Sequence, residues 1–197
     1  MKKIIFATKN AGKAHEFSQM MEKYEVEVLS LLDIGYKGDI EETGITFEEN
    51  ALIKARKIAF AYQTTVIADD SGLAIDALNG EPGVYSARYA GDVRSDDANM
   101  DKVLTALKDV PDDERTARFV CALAMVDSDG CETVVRGTCE GKIGHAKRGS
   151  GGFGYDPIFY LPQHGKTMAE LSKDEKNALS HRGVAFKKLE QLIGELI

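Results

Sequence analysis

The chain has little of what marks a secreted, membrane-embedded or thiolate-metal protein. Only three cysteines occur in 197 residues, Cys121, Cys131 and Cys139, and no two stand in C-x-x-C spacing. An odd count without a metal-ligand pattern points to reduced thiols, the state of a cytoplasmic protein. No apolar run approaches the length of a membrane-spanning helix, so no membrane partner is expected. The opening Met1 to Thr8 resembles a signal peptide for a few residues only. Lys9, Asn10 and Lys13 follow at once, and the run reads as a first strand. A basic excess is also missing. The formal net charge is -7, which argues against a non-specific nucleic-acid binder. It leaves room for a nucleotide, because a local basic pocket suffices. Internal repeats, low-complexity tracts and linkers are absent. The length and ordinary composition fit one large domain or two small lobes.

What is present is organised around Val66-Ile67-Ala68-Asp69-Asp70-Ser71-Gly72. The apolar run reads as a strand buried on both faces, and Asp, Ser and Gly read as its end. Ligands of open α/β sheets bind at strand ends. Two adjacent acids beside a core are costly unless something pairs with them. A divalent cation is one such partner, since Mg2+ takes one or two carboxylates together with phosphate oxygens. The ordinary alternative is a turn closing the strand, with both acids solvated.

Upstream, Ile4 to Ala7 reads as strand one. Thr8-Lys9-Asn10-Ala11-Gly12-Lys13 is a polar loop, and a helix follows from Lys13 to Lys23 with Ala14, Phe17, Met21 and Tyr24 on one face. A loop at a helix N-terminus suits anions, and Lys13 adds a full charge. The loop is not a Walker A motif: Thr8 stands near the place of the first glycine, and Ala14 replaces the metal-binding hydroxyl. A plain surface loop is the alternative. Val26 to Leu31 reads as strand two. Thr46 with Glu49 is a capping-box signature opening a helix to Tyr62, with Phe47, Ala51, Ala55 and Ile58 packed. Glu41 and Glu42 precede it, either as dipole partners or as further metal ligands.

Pro82 to Tyr89 reads as an irregular, ordered segment that carries Arg88 toward a phosphate. Ser95 caps a helix to Leu107, with Met100, Val103, Leu104 and Leu107 inward. Pro111 to Asp113 is a surface turn. Ala117 to Val126 and Thr133 to Gly141 form a hairpin across Asp127-Ser128-Asp129-Gly130, with the cysteines packing as small apolar residues. Gly149 to Pro157 holds four glycines and two aromatics. It reads as a nucleobase slot or as a glycine-rich hairpin with its aromatics inward. Ser172 with Glu175 is another capping box, on a helix carrying Lys176. Gly183 reads as a break after Ser180-His181-Arg182. Phe186, Leu189, Ile193 and Leu196 mark an amphipathic last helix.

Six of these motifs, in this order, resemble the inosine triphosphate pyrophosphatase family, the non-canonical purine nucleoside triphosphate pyrophosphatases. They are Thr8-x-Asn10-x-Gly12-Lys13, Glu41-Glu42-Thr43-Gly44-x-Thr46-Phe47-x-Glu49-Asn50, Ala68-Asp69-Asp70-Ser71-Gly72, Pro82-Gly83-x-Tyr85-Ser86-Ala87-Arg88, Gly152-Phe153-Gly154-Tyr155-Asp156-Pro157 and Ser180-His181-Arg182. The resemblance implies one α/β domain of two lobes with a long mixed central sheet, and an active-site cleft between the lobes. It also implies a homodimer, Mg2+ dependence, and cleavage of ITP, dITP and XTP to the monophosphate and pyrophosphate. The role would be house-cleaning of the nucleotide pool. By motif, Thr8, Lys9, Asn10, Ala11, Gly12 and Lys13 match the triphosphate loop, with the role of Lys9 itself open. Asp70 matches the catalytic base and a metal ligand, Glu41 a further metal ligand, and Ser71 a substrate contact. Phe153, Gly154, Tyr155, Asp156, Lys176, His181 and Arg182 match positions holding the nucleotide and its base.

The chemistry implied is attack on the α-phosphorus by a water activated at Asp70, with Lys13 and Mg2+ stabilising the departing pyrophosphate. Hypoxanthine and xanthine offer a 6-oxygen to donors such as His181 and Arg182, whereas the amino group of adenine leaves those donors unpaired. Two rivals stand beside this reading: a related pyrophosphatase acting on modified pyrimidine nucleotides, and a nucleotide-sensing module without chemistry. An aspartyl-phosphate phosphatase is disfavoured, because no D-x-D follows strand one.

Overall fold

The computed structural model describes residues 2–193. The expectation for Leu196 lies outside the described residues, as does the side chain of Ile193. Among the described residues seven strands form one mixed sheet in the order β2-β1-β3-β4-β5-β6-β7. They are β1 (Lys2–Phe6), β2 (Val26–Ser30), β3 (Val66–Ile75), β4 (Thr116–Val126), β5 (Glu132–Ile143), β6 (Phe159–Leu161) and β7 (Lys166–Thr167). β1 runs parallel to β2 and β3, while β6 is antiparallel to both β5 and β7. The helices are α1 (Ala11–Met21), α2 (Phe47–Tyr62), α3 (Asp96–Ala106), α4 (Lys173–Leu179) and α5 (His181–Ile193). None of the described helices is long and apolar enough to cross a membrane.

The chain divides into two compact units. The first contains Met1–Asp70, Cys121–Gly137 and Arg182–Ile197, and the second Ser71–Val120 and Thr138–His181. Each has its own core. In the first, Phe17 and Met21 of α1 and Ala185, Phe186 and Leu189 of α5 pack with Ile4, Phe6, Ile67 and Leu123 from the strands. Phe6 and Phe17 stack with ring centroids 4.3 Å apart. In the second, Met100 and Val103 of α3 and the following Leu107 pack with Leu73, Ile75, Phe119 and Phe159.

Local sequence explains most element boundaries. Thr46 and Glu49 make both bonds of the capping box at the start of α2, and Phe47, Ala51, Ala55 and Ile58 are buried. Ser95 caps α3, and Ser172 with Glu175 caps α4. Between β4 and β5 the Asp127 carboxylate accepts the N–H groups of Asp129 and Cys131, closing the turn.

Three expectations are corrected. β3 does not end at Asp69-Asp70-Ser71-Gly72; it runs on to Ile75, because Leu73 and Ile75 are fully buried in the second core. The acids therefore sit mid-strand. The break before α5 falls at Ser180, which is extended, and Gly183 lies inside the helix. Cys131 is exposed beside the β4–β5 turn and does not pack, unlike Cys121 and Cys139.

Burial pushes the Cys121 thiol up to about 12 and the Cys139 thiol up to about 11. Titration of the native protein with a disulfide reagent at pH 8 is therefore expected to show one fast-reacting thiol per chain, Cys131, and three after denaturation. Two or three fast equivalents in the native state would contradict this packing.

Candidate active site

The acidic pair begins where the neighbouring strand stops. β1 is paired with β3 only at Val66 and Ile67, and the Ala7 N–H still reaches the Ile67 carbonyl at 2.8 Å. One residue further the chain turns away from the sheet as the Thr8 loop. Asp69 and Asp70 thus lie just beyond the carboxyl end of β1, where an open α/β sheet leaves room for a ligand.

The Thr8 loop is built to expose donors. Thr8 is buried, and its hydroxyl accepts the Asn10 N–H at 3.1 Å. Asn10 is the N-cap of α1, its side-chain oxygen accepting the Lys13 N–H at 3.1 Å. Ala11, Gly12 and Lys13 form the first turn of the eleven-residue helix. An exposed helix start carries partial positive charge, and no acid occupies this first turn. Lys9 points elsewhere, pairing with Asp39 at 2.9 Å on the surface.

The two aspartates stand in opposite surroundings. Asp69 is 1% exposed. Lys13 approaches its Oδ2 at 2.8 Å and Arg182 at 3.4 Å, and Arg182 also binds Glu16. Burial alone would raise the Asp69 carboxyl, but Lys13, Arg182 and Lys54 outweigh it and hold Asp69 well below the usual carboxylate range. Asp70 faces fewer cations. Its Oδ1 lies 3.4 Å from Lys54 Nζ, and its Oδ2 accepts from Asn50 Nδ2 at 3.2 Å. Burial, helped by the charges of Glu42 and Asp69, raises its carboxyl despite Lys54 and Lys13. The two adjacent carboxylates are thus shifted in opposite directions by their surroundings.

α2 supplies two side chains not read as site residues, Asn50, which closes the second motif, and Lys54, which lies outside every motif. Lys54 bridges Asp70 and Glu42, the latter at 2.5 Å. Asn50 joins Asp70 to the Gly44 N–H, which its Oδ1 accepts at 2.8 Å. Both residues are buried. A signal was available: positions 50 and 54 fall at helical spacing within the packed stripe of Phe47, Ala51, Ala55 and Ile58, where a lysine and an asparagine need partners. Glu41, adjacent to Glu42, is exposed.

The candidate ligands Asp70 and Glu41 offer hard carboxylate oxygens, and among the described residues no group of three or more His, Cys, Asp or Glu is placed to hold a metal ion. One or two carboxylates completed by phosphate oxygens and water are what Mg2+ takes.

The second unit holds the remaining candidates. Ser71 is half-buried, next after Asp70 on β3. In the glycine-rich loop Asp156 is buried and its Oδ2 accepts both the Phe153 N–H at 2.9 Å and Lys176 Nζ at 2.7 Å. The Lys176 ammonium also sits over the Phe153 ring, 4.7 Å from its centroid. Gly152 makes this knot possible. Its φ is +74°, and a Cβ there would lie 2.0 Å from Asp156 Oδ2. The Gly154 N–H is held by Asp96 at 2.7 Å. Tyr155 is buried in the second core, its hydroxyl donating to the Ser86 carbonyl at 2.7 Å. It is therefore an anchor of the loop, whereas Phe153 is half-buried and keeps an accessible ring. His181 is buried and stacks on Phe119, centroids 4.8 Å apart. Arg88 is exposed and lies over the Tyr85 ring at 5.3 Å. Arg182 belongs to the first unit; it is 1% exposed and engages the carboxylates of Glu16 and Asp69 there.

Asp69→Asn is expected to cost about 3–5 kcal/mol of stability at pH 7, because Lys13 and Arg182 lose a buried counter-ion. The folded carboxyl is depressed, so its contribution is present above the unfolded value of about 4 and lost as pH falls through the folded value. Urea denaturation across pH should show the difference between wild type and variant shrinking below about pH 4. An unchanged difference, or none at pH 7, would contradict the ion cluster.

The chain is similar to known proteins over nearly its whole length. The dITP/XTP pyrophosphatase of Bacillus cereus is 55% identical over 197 residues, covering 99% of this chain and 96% of that protein. The solved Ham1 protein of Staphylococcus aureus superposes with a TM-score of 0.88 at 45% identity, covering all of both chains. The nucleoside-triphosphatase, or dITP/XTP pyrophosphatase, of Mycobacterium abscessus superposes with a TM-score of 0.77 at 46% identity, covering 95% of this chain and 98% of the other. The Ham1 family model matches residues 4–192, and the chain belongs to the Ham1 family.

Proposed function

We propose that the chain hydrolyses ITP, dITP and XTP to the nucleoside monophosphate and pyrophosphate, removing deaminated purines from the nucleotide pool. The observation that carries this reading is the near full-length 55% identity to a dITP/XTP pyrophosphatase. The two adjacent buried aspartates support it as well, since a binding module gains little from a second buried carboxylate beside one already paired to Lys13 and Arg182.

The triphosphate is assigned to Thr8, Asn10 and the first turn of α1, where free N–H groups and Lys13 meet negative oxygens. Asp70 is the general base. It accepts a proton from the water that attacks the α-phosphorus, and a carboxyl raised by burial accepts a proton more readily than a solvated one. Lys13 stabilises charge on the departing pyrophosphate. Asp70 and Glu41 are the residues that would hold Mg2+, which when bound neutralises phosphate oxygens. Asp69 acts through the cations, holding Lys13 and Arg182 in place. The base is assigned to Phe153 as stacking face, with Asp156, Lys176 and His181 as its polar neighbours and Ser71 as a further substrate contact. A donor set matched to a 6-oxygen rejects the 6-amino group of adenine. The resemblance further implies a homodimer in the cytoplasm.

Product analysis with dITP, XTP, dATP and dGTP, with and without Mg2+, tests this reading. Pyrophosphate released from dITP and XTP only with Mg2+ is expected. Asp70→Asn should lower kcat by about 10²–10⁴-fold while nucleotide binding persists. Release of orthophosphate, or equal turnover of dATP, would overturn it. Turnover confined to modified pyrimidine nucleotides would favour the pyrimidine reading.

A further inference from the structure

The loop that carries Glu41 and Glu42 has no strand or helix of its own, yet it must place a carboxylate beside Asp70 if the two acids are to share one cation. Two bridges from α2 tie this loop to Asp70. The first is ionic, Lys54 between Glu42 and Asp70. The second is neutral, Asn50 between the Gly44 N–H and Asp70 Oδ2. They are not equivalent. An arriving divalent cation competes with the Lys54 ammonium for the same carboxylates, so the ionic bridge weakens as the metal binds. The amide bridge carries no charge and has no such competitor.

The orientation of the amide is fixed by its partners. A backbone N–H can only donate, so Oδ1 faces Gly44 and Nδ2 faces Asp70. That donor occupies Oδ2 of the carboxylate and restricts its rotation, leaving Oδ1 as the less engaged oxygen. The approach on the loop side is equally specific. A Cβ at Gly44 would lie 2.7 Å from Asn50 Oδ1 and 2.6 Å from Glu49 Cβ, so the loop docks on Asn50 only with glycine there. Asn50 is 2% exposed, which excludes water as a substitute partner.

We infer that Asn50 is a positioning residue that holds the Glu41–Glu42 loop in register with Asp70, so that the acids act as one Mg2+ subsite. The inference rests on the pyrophosphatase reading of the site. Outer partners of metal ligands typically govern affinity by about 10–100-fold. Asn50→Ala removes both hydrogen bonds. Gly44→Ala displaces the loop while leaving the side chains of Asn50 and Asp70 intact.

The test is Mn2+ binding followed by its electron paramagnetic resonance signal, with a non-hydrolysable dITP analogue present. It is run beside the Mg2+ dependence of turnover and the thermal midpoint without metal. Both variants are expected to bind Mn2+ at least about tenfold more weakly than wild type. Their Mg2+ half-saturation should rise in parallel, while KM for dITP at saturating Mg2+ changes less than the metal affinity. Asn50→Gln, which keeps both amide functions on a longer arm, should recover part of the lost affinity. Wild-type metal affinity in folded Asn50→Ala and Gly44→Ala would overturn the inference, as would a kcat loss without any change in metal affinity. Loss of folding in Asn50→Ala leaves Gly44→Ala and Asn50→Gln to decide between the two results. If wild type itself binds no Mn2+, the metal-dependent reading of the site fails instead, and the two failures are distinguished.

Discussion

The structure depends on one expensive placement, a fully buried carboxylate in the middle of β3. Asp69 has no access to water, and such a charge persists only if fixed cations replace its hydration. Lys13 and Arg182 supply that replacement. Lys13 comes from the first turn of α1 and Arg182 from the first turn of α5, so the start of each helix is fixed by the charge as well as by its apolar stripe. The same pairing keeps Lys13 at the start of α1, where phosphate is expected. A residue with no room to touch substrate therefore sets the charge pattern that receives it.

The neighbouring residue uses the opposite strategy. Asp70 is buried as well, but its partners are a neutral amide and a more distant ammonium. Burial wins there and raises the carboxyl, where the cations win at Asp69 and lower it. Two identical side chains, adjacent in sequence, thereby take different protonation behaviour from the α1 and α2 residues that face them.

Much of this was legible in the sequence because the signals were local. The capping boxes at Thr46 and Ser172, the cap at Ser95 and the Asp127–Gly130 turn are short-range hydrogen bonds with fixed spacing. The mixed sheet was an implication of the family resemblance rather than of any local pattern. The misreadings have a common physical cause, which is long-range packing. Ser71-Gly72 looks like a strand end, but burial of Leu73 and Ile75 in the second core carries β3 past it. Gly183 looks like a helix break, but the extended Ser180 provides the break. The ion pair of Arg182 with Asp69, 113 positions earlier, likewise left no local signal. Asn50 stood at the end of the second motif and Lys54 only as a polar residue on an apolar stripe, and their partners lie on β3 and in the Glu42–Gly44 loop.

The central claim is that a water positioned at Asp70 attacks the α-phosphorus and that pyrophosphate leaves intact. It is tested most directly by hydrolysing dITP in ¹⁸O-labelled water and locating the label by mass spectrometry. The account predicts one ¹⁸O atom in dIMP and none in pyrophosphate. Label in pyrophosphate, or in orthophosphate, would place the attack on the β- or γ-phosphorus and contradict the assignment of the triphosphate to the α1 loop.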